Sequence, residues 1–208
     1  MASSENSSAI AMRSSRSAPR GSIEPIGRRF PGEGSMWFFV IGDLWIFSCY
    51  FACYIHDRAQ HAEPFLQGQQ LLSQGIGVLN TVILLTSSLF VALCVQATRA
   101  REIVTASRFL ALGSFCGAGF VLVKAGEWYL KIHAGFPEGT NPFFIYYFMF
   151  TGLHLAHVAL GLLILALLWR ELRGAKQPRV EFAETAATYW HMVDLLWIAI
   201  FALLYLVR

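Results

Sequence analysis

Five long apolar runs alternate with short polar connections along this 208-residue chain. Each run is close to the ~20 residues that carry a helix across a bilayer. The pattern predicts an all-α integral membrane bundle of five transmembrane helices, over about 36–55, 75–98, 108–131, 143–168 and 186–207. Pro142 fits the first turn of the fourth helix, where its missing N–H costs nothing, and Asn141 fits the N-cap before it. Ahead of the runs, residues 1–33 are rich in Ser, Ala and Arg, and read as a disordered tail. The tail has no apolar region of the kind a secretory signal needs, and Glu5, Glu24 and Glu33 argue against a transit peptide. The transmembrane domain is then 34–208. No connection is long enough for a soluble domain, and the longest, about 56–74, holds His56, Asp57, Arg58, His61 and Glu63 as its ionisable groups. No repeat of 20 to 50 residues is evident.

Composition strengthens the membrane reading. The chain is 56% hydrophobic and 14% charged, with a mean hydropathy of +0.51, and its 17 Phe, 6 Trp and 7 Tyr suit lipid and its interfaces. A net charge of +3 gives no support for nucleic-acid binding. Charge placement also sets an orientation. Arg13, Arg16, Arg20, Arg28 and Arg29, then Arg99, Arg101 and Arg108, then Arg170, Arg173, Lys176 and Arg179 all fall on one side. The other side holds only Arg58, Lys131 and Arg208. The bias predicts a cytoplasmic N-terminus and a periplasmic C-terminus, the arrangement an odd number of spans requires. Cys49, Cys53, Cys94 and Cys116 lie within apolar runs and read as small buried packers.

The candidate chemistry lies within the spans, where Asp43, Lys124, Glu127, His154, His157, His191 and Asp194 are ionisable. With a helical rise of about 1.5 Å per residue, Asp43 lies ~10 Å, His191 ~8 Å, Asp194 ~12 Å and His157 ~16 Å from the cytoplasmic end of its helix. Asp43, His157, His191 and Asp194 therefore share a layer and form one buried polar network if the first, fourth and fifth spans adjoin. His154, nearer the midplane, is counted with this network. Lys124 and Glu127, at i and i+3 in the outer half of the third span, form an ion pair. Three readings of the layer remain open. It is a hydrogen-bonded brace between helices, a proton-collecting or proton-conducting group, or a haem or metal site using His154, His157 and His191. The histidine spacing is not that of zinc enzymes. Gly152 and Gly161, and Gly113, Gly117 and Gly119, read as points of close helix approach. No nucleotide loop, nucleophile elbow or catalytic triad is visible, and no catalytic or cofactor-binding residue is assigned.

Five ordered motifs carry a family resemblance. They are Met36-Trp37-Phe38-Phe39-Val40-Ile41-Gly42-Asp43, Leu79-Asn80-Thr81 through Leu84-Leu85-Thr86-Ser87-Ser88, and Gly126-Glu127-Trp128-Tyr129. Thr151-Gly152-Leu153-His154-Leu155-Ala156-His157-Val158 and Glu184 through Tyr189-Trp190-His191-Met192-Val193-Asp194 to Trp197 complete the set. Together they resemble subunit III of haem-copper oxidases, in its short five-helix bacterial form. The resemblance implies an accessory subunit without redox cofactor of its own, in the bacterial inner membrane. It implies bound phospholipid and packing on catalytic subunit I, which carries haem and copper. It also implies a role in proton uptake and in protecting the catalytic centre during aerobic electron transport, with Asp43 at the family's acidic position. Lys124 and Asn141-Pro142-Phe143-Phe144-Ile145-Tyr146-Tyr147 look more like the branch associated with nitric oxide reductase, which makes that enzyme's catalytic subunit the alternative partner. A b-haem electron carrier and a transporter are the readings from other classes.

Overall fold

The computed structural model describes residues 34–133, 135, 141–174 and 178–207. The tail expected over 1–33 lies outside the described residues. Those residues contain six helices and no strand: α1 (Gly34–Gln60), α2 (Ala62–Gln70), α3 (Gln74–Arg99), α4 (Ile103–His133), α5 (Pro142–Gly174) and α6 (Val180–Phe201), which runs into a π-helical turn over Ala202–Leu206. Five stretches are long and apolar enough to cross a membrane: Met36–Gln60, Gln74–Arg99, Ile103–His133, Pro142–Gly174 and Val180–Leu206. A backbone in hydrocarbon must satisfy its own hydrogen bonds, and the helix does so within one segment. This is why every predicted span is present. Most extend past the apolar run, because polar residues at the interface continue a helix at little cost.

The connection between the first two spans is not a loop. α1 continues to Gln60, and α2 lies beyond it at the same end of the bundle. Its apolar signal is short, with Pro64 and Gly68 inside it, so periodicity alone did not reveal it. Phe65 and Gln69 are its buried contacts. The Phe65 ring meets Tyr54 of α1 at 5.5 Å and Phe143 of α5 at 6.1 Å between centroids. Asn141 fixes the start of α5: its side-chain oxygen accepts from the Phe143 N–H at 2.9 Å, while its amide donates to the Pro64 carbonyl at 2.8 Å. One residue therefore caps α5 and ties it to α2.

The α3–α4 connection is a tight C-cap. The Glu102 N–H reaches the Ala97 carbonyl at 2.9 Å and the Arg101 N–H reaches Thr98 at 3.0 Å, the paired bonds of a Schellman motif. Arg101 takes the left-handed position, with φ 61°, where glycine is usual.

α6 is the most enclosed span and α1 the least. α6 packs against α1, α3 and α5, with Trp190 as its central wedge. A Cβ at Gly117 of α4 would stand 2.7 Å from the Trp190 ring, and one at Gly161 of α5 would stand 2.8 Å from it. The indole thus occupies the space two missing side chains leave. Its N–H donates to Ser87 Oγ at 3.1 Å, and that hydroxyl donates to the Gly113 carbonyl at 2.7 Å. Gly119, expected to allow close approach, faces open space instead. The cysteine expectation also needs correction. Cys94 is buried and Cys116 partly so, but Cys49 and Cys53 are exposed, because α1 is covered on one side only.

The last helical carbonyls of a chain have no intrahelical partners. Here the π turn, marked by the Val207 N–H on the Ala202 carbonyl at 3.0 Å, turns several of them toward side chains. The Gln69 amide lies 2.8 Å from the Val207 carbonyl and 3.3 Å from those of Leu203 and Leu204. The Gln74 amide donates to Tyr205 at 3.0 Å, and the Tyr54 hydroxyl to Leu203 at 3.3 Å.

Candidate functional site: the buried polar groups

The intramembrane polar residues fall into separate groups. Asp43 of α1 and His157 of α5 meet, with Asp43 Oδ1 3.2 Å from His157 Nε2. Their side chains are 11% and 19% exposed, so the pair is partly open at the α1–α5 seam. The other ring nitrogen, Nδ1, lies 2.7 Å from the Leu153 carbonyl. A carbonyl only accepts, so Nδ1 carries a proton. The Nε2–Oδ1 contact is then a hydrogen bond with its proton on one of those two atoms. Phe47 sits edge-on to the imidazole at 5.6 Å, and the Tyr189 hydroxyl donates to the His157 carbonyl at 3.3 Å.

His191 and Asp194 do not join that pair. His191 Nδ1 hydrogen-bonds Ser88 Oγ at 2.5 Å across the α3–α6 seam. Asp194, 4% exposed, lies one turn further along α6, with the Ser88 hydroxyl in range. Neither carboxylate oxygen completes a hydrogen bond of proper geometry. His154 is fully buried between the rings of Phe120 at 5.5 Å and Trp197 at 5.2 Å, with both nitrogens unpartnered. The single layer drawn from depth therefore becomes two seams. Depth fixes height in the membrane but not the direction around the helix, and His191 points to α3, not α1.

Lys124 and Glu127 pair at 2.8 Å. The surrounding groups were not legible in the sequence. Lys124 Nζ also donates to the Tyr205 hydroxyl at 3.0 Å and the Tyr147 hydroxyl at 3.3 Å, and lies 5.0 Å from the Trp197 ring centre. Tyr205 in turn donates to Glu127 at 3.1 Å. The tyrosines come from α5 and the π turn, far from α4 in sequence, and no spacing rule links them. Ser88 and Gln69 were missed for the same reason, since their partners lie on α6 and in the π turn.

Among the described residues, no three His, Cys, Asp or Glu side chains gather as metal ligands. The three span histidines engage an aspartate, a serine and two aromatic rings respectively. His154 is sealed by Phe120 and Trp197, so these residues do not fit a bis-histidine haem.

Comparison with known proteins decides the family. The model of the family described as cytochrome c oxidase subunit III matches residues 32–207, which include every group above. The chain belongs to that family. One family relative, cytochrome c oxidase subunit 3 of Thermostichus vulcanus, is 30% identical over 174 residues, covering 81% of this chain and 83% of that protein. Quinol oxidase subunit 3 of Bacillus spizizenii is 27% identical, over 82% of this chain and 84% of its own. Heme-copper oxidase subunit I+III of Aeropyrum pernix is 30% identical over 184 residues, covering 84% of this chain and 22% of that longer protein. The chain is thus a multi-pass membrane protein of the subunit III family, and Tyr189–Asp194 lies on its most enclosed helix.

Proposed function

We propose that this chain serves as accessory subunit III of a respiratory haem-copper terminal oxidase, stabilising catalytic subunit I and assisting its proton uptake. Family membership over 32–207 supports the subunit assignment, and the fused I+III relative supports subunit I as the partner. Haem and copper belong to that partner in this reading, and the chain itself holds no redox group. Its place is the bacterial inner membrane, with the N-terminal end of α1 in the cytoplasm by the arginine bias. The exposed apolar face of α1, with Phe38 and Trp45 outermost, suits phospholipid. Nitric oxide reductase remains an alternative partner on the likeness at Lys124 and Asn141–Tyr147 alone. The chain that co-purifies in mild detergent separates the two.

The observation that carries the proton role is the Asp43–His157 pair. It joins an imidazole to a carboxylate, two side chains able to accept and release protons, is partly open, and lies near the proposed cytoplasmic side. With the proton between Nε2 and Oδ1 in place the pair is net neutral, and passing it on leaves one negative charge on the pair until it is replaced, at a seam that is partly open. In the intact oxidase, Asp43→Asn removes the ionisable partner at nearly constant shape. The expected result is slower proton uptake and earlier inactivation during turnover, with the subunit still bound. If both rates match the unaltered complex, the pair is a brace and the proton role is wrong.

A further inference from the structure

The structure assigns an internal water-binding site to the centre of the bundle, around Trp197, held by Asn80, His154 and Asp194. Asn80 and His154 are wholly buried and Asp194 is 4% exposed. All six of their side-chain polar atoms lack a hydrogen-bond partner. The three come from α3, α5 and α6, and both α3 and α5 pack on α6. The His154 and Trp197 rings are 5.2 Å apart. The Trp197 N–H donates at 3.1 Å to Thr81, the neighbour of Asn80. Asp194 precedes Trp197 by one helical turn.

Two of the neighbouring protein donors are already used, since Trp197 donates to Thr81 and Thr81 donates to the Gly77 carbonyl at 2.9 Å. The Ser88 hydroxyl, bonded to His191 and in range of Asp194, has one proton to give and serves at most one carboxylate oxygen. Lipid tails offer neither donors nor acceptors. Buried polar groups in native proteins find partners in protein or in water, and a buried water makes about three hydrogen bonds. Water fits both roles needed here, donating to Asp194 and accepting from the Asn80 amide. The ligand is therefore a small cluster of water molecules. It lies between the Ser88–His191 pair and the Lys124–Glu127 group, and joins the polar side chains along α6.

Two tryptophans give the test an internal control. Trp190 and Trp197 are both fully buried, but the Trp190 ring is wedged against Gly117 and Gly161 with its N–H on Ser87, whereas the Trp197 ring lies against the unpartnered His154 imidazole. Pulsed X-ray radiolysis of the intact membrane complex generates hydroxyl radicals from bound water, which oxidise adjacent side chains. Trp197 is expected to be oxidised severalfold faster than Trp190. Equal protection of the two overturns the proposal. In a second arm, Asp194→Asn keeps a polar anchor and should retain Trp197 oxidation, while Asn80→Leu with His154→Phe should lower it to the Trp190 level in assembled complex. Oxidation that persists in that apolar variant also overturns the assignment. Neither result depends on the identity of the partner subunit.

Discussion

At the scale of single residues, Trp190 depends on two side chains that are absent. A methyl at Gly161 would intrude on an indole already held by its bond to Ser87. Overpacking of this kind costs typically 1–3 kcal/mol. Gly161→Ala should therefore lower the thermal midpoint of the purified protein, and Trp190→Leu in the same chain should recover part of the loss. Full additivity of the two changes would count against the wedge. The Lys124–Glu127 pair calls for the opposite experiment. Losing one partner strands a buried charge at a cost of about 3–5 kcal/mol, whereas replacing both with apolar residues is often near neutral. Lys124→Met should prove far more harmful than Lys124→Met with Glu127→Leu, as measured by the yield of folded protein. The pair itself was legible at i, i+3. Its tyrosines were not, because Tyr147 and Tyr205 meet Lys124 only after three elements pack.

At the scale of elements, the spans were readable because lipid imposes one solution on an apolar run of that length. The turns and ends were less so. α2 is set by the partners of Phe65 and Gln69, and those lie on α1, α5 and the chain's end. The α3–α4 turn makes a testable case of local conflict. Arg101 occupies a left-handed position that disfavours a side chain by roughly 1–2 kcal/mol. Arg101→Gly should stabilise the hairpin by about 1 kcal/mol. A higher midpoint in denaturant or on heating is the expected outcome, and a lower one would show that the arginine makes compensating contacts.

At the scale of the molecule, the burial is lopsided: α6 is enclosed and α1 presents most of its surface outward. Cys49 and Cys53 report on that face, while Cys94 reports on the core. Nitroxide labels placed singly at Cys49 and Cys94 in bilayers should differ, the first mobile and oxygen-accessible, the second immobile. Similar spectra would mean that α1 is covered by this chain itself. Sequence depth grouped Asp43, His157, His191 and Asp194 because height along a helix can be counted. Azimuth depends on packing that only the fold reveals, and it divides them between the α1–α5 and α3–α6 seams.

The central position of α6 has a consequence for biogenesis. Synthesis proceeds from the N-terminus, so the helix that fills the bundle leaves the ribosome after the four spans it packs among. Until then, Gly117 and Gly161 have no indole to receive, Ser88 no imidazole, and Gln69 no terminal carbonyls to clasp. Truncation within the final turn would remove the Tyr205 and Leu203–Val207 contacts together, leaving α6 inserted but unclasped by Gln69 and Lys124. Quality control in the membrane therefore has a clear object to recognise: a chain that has crossed the bilayer but has not yet closed.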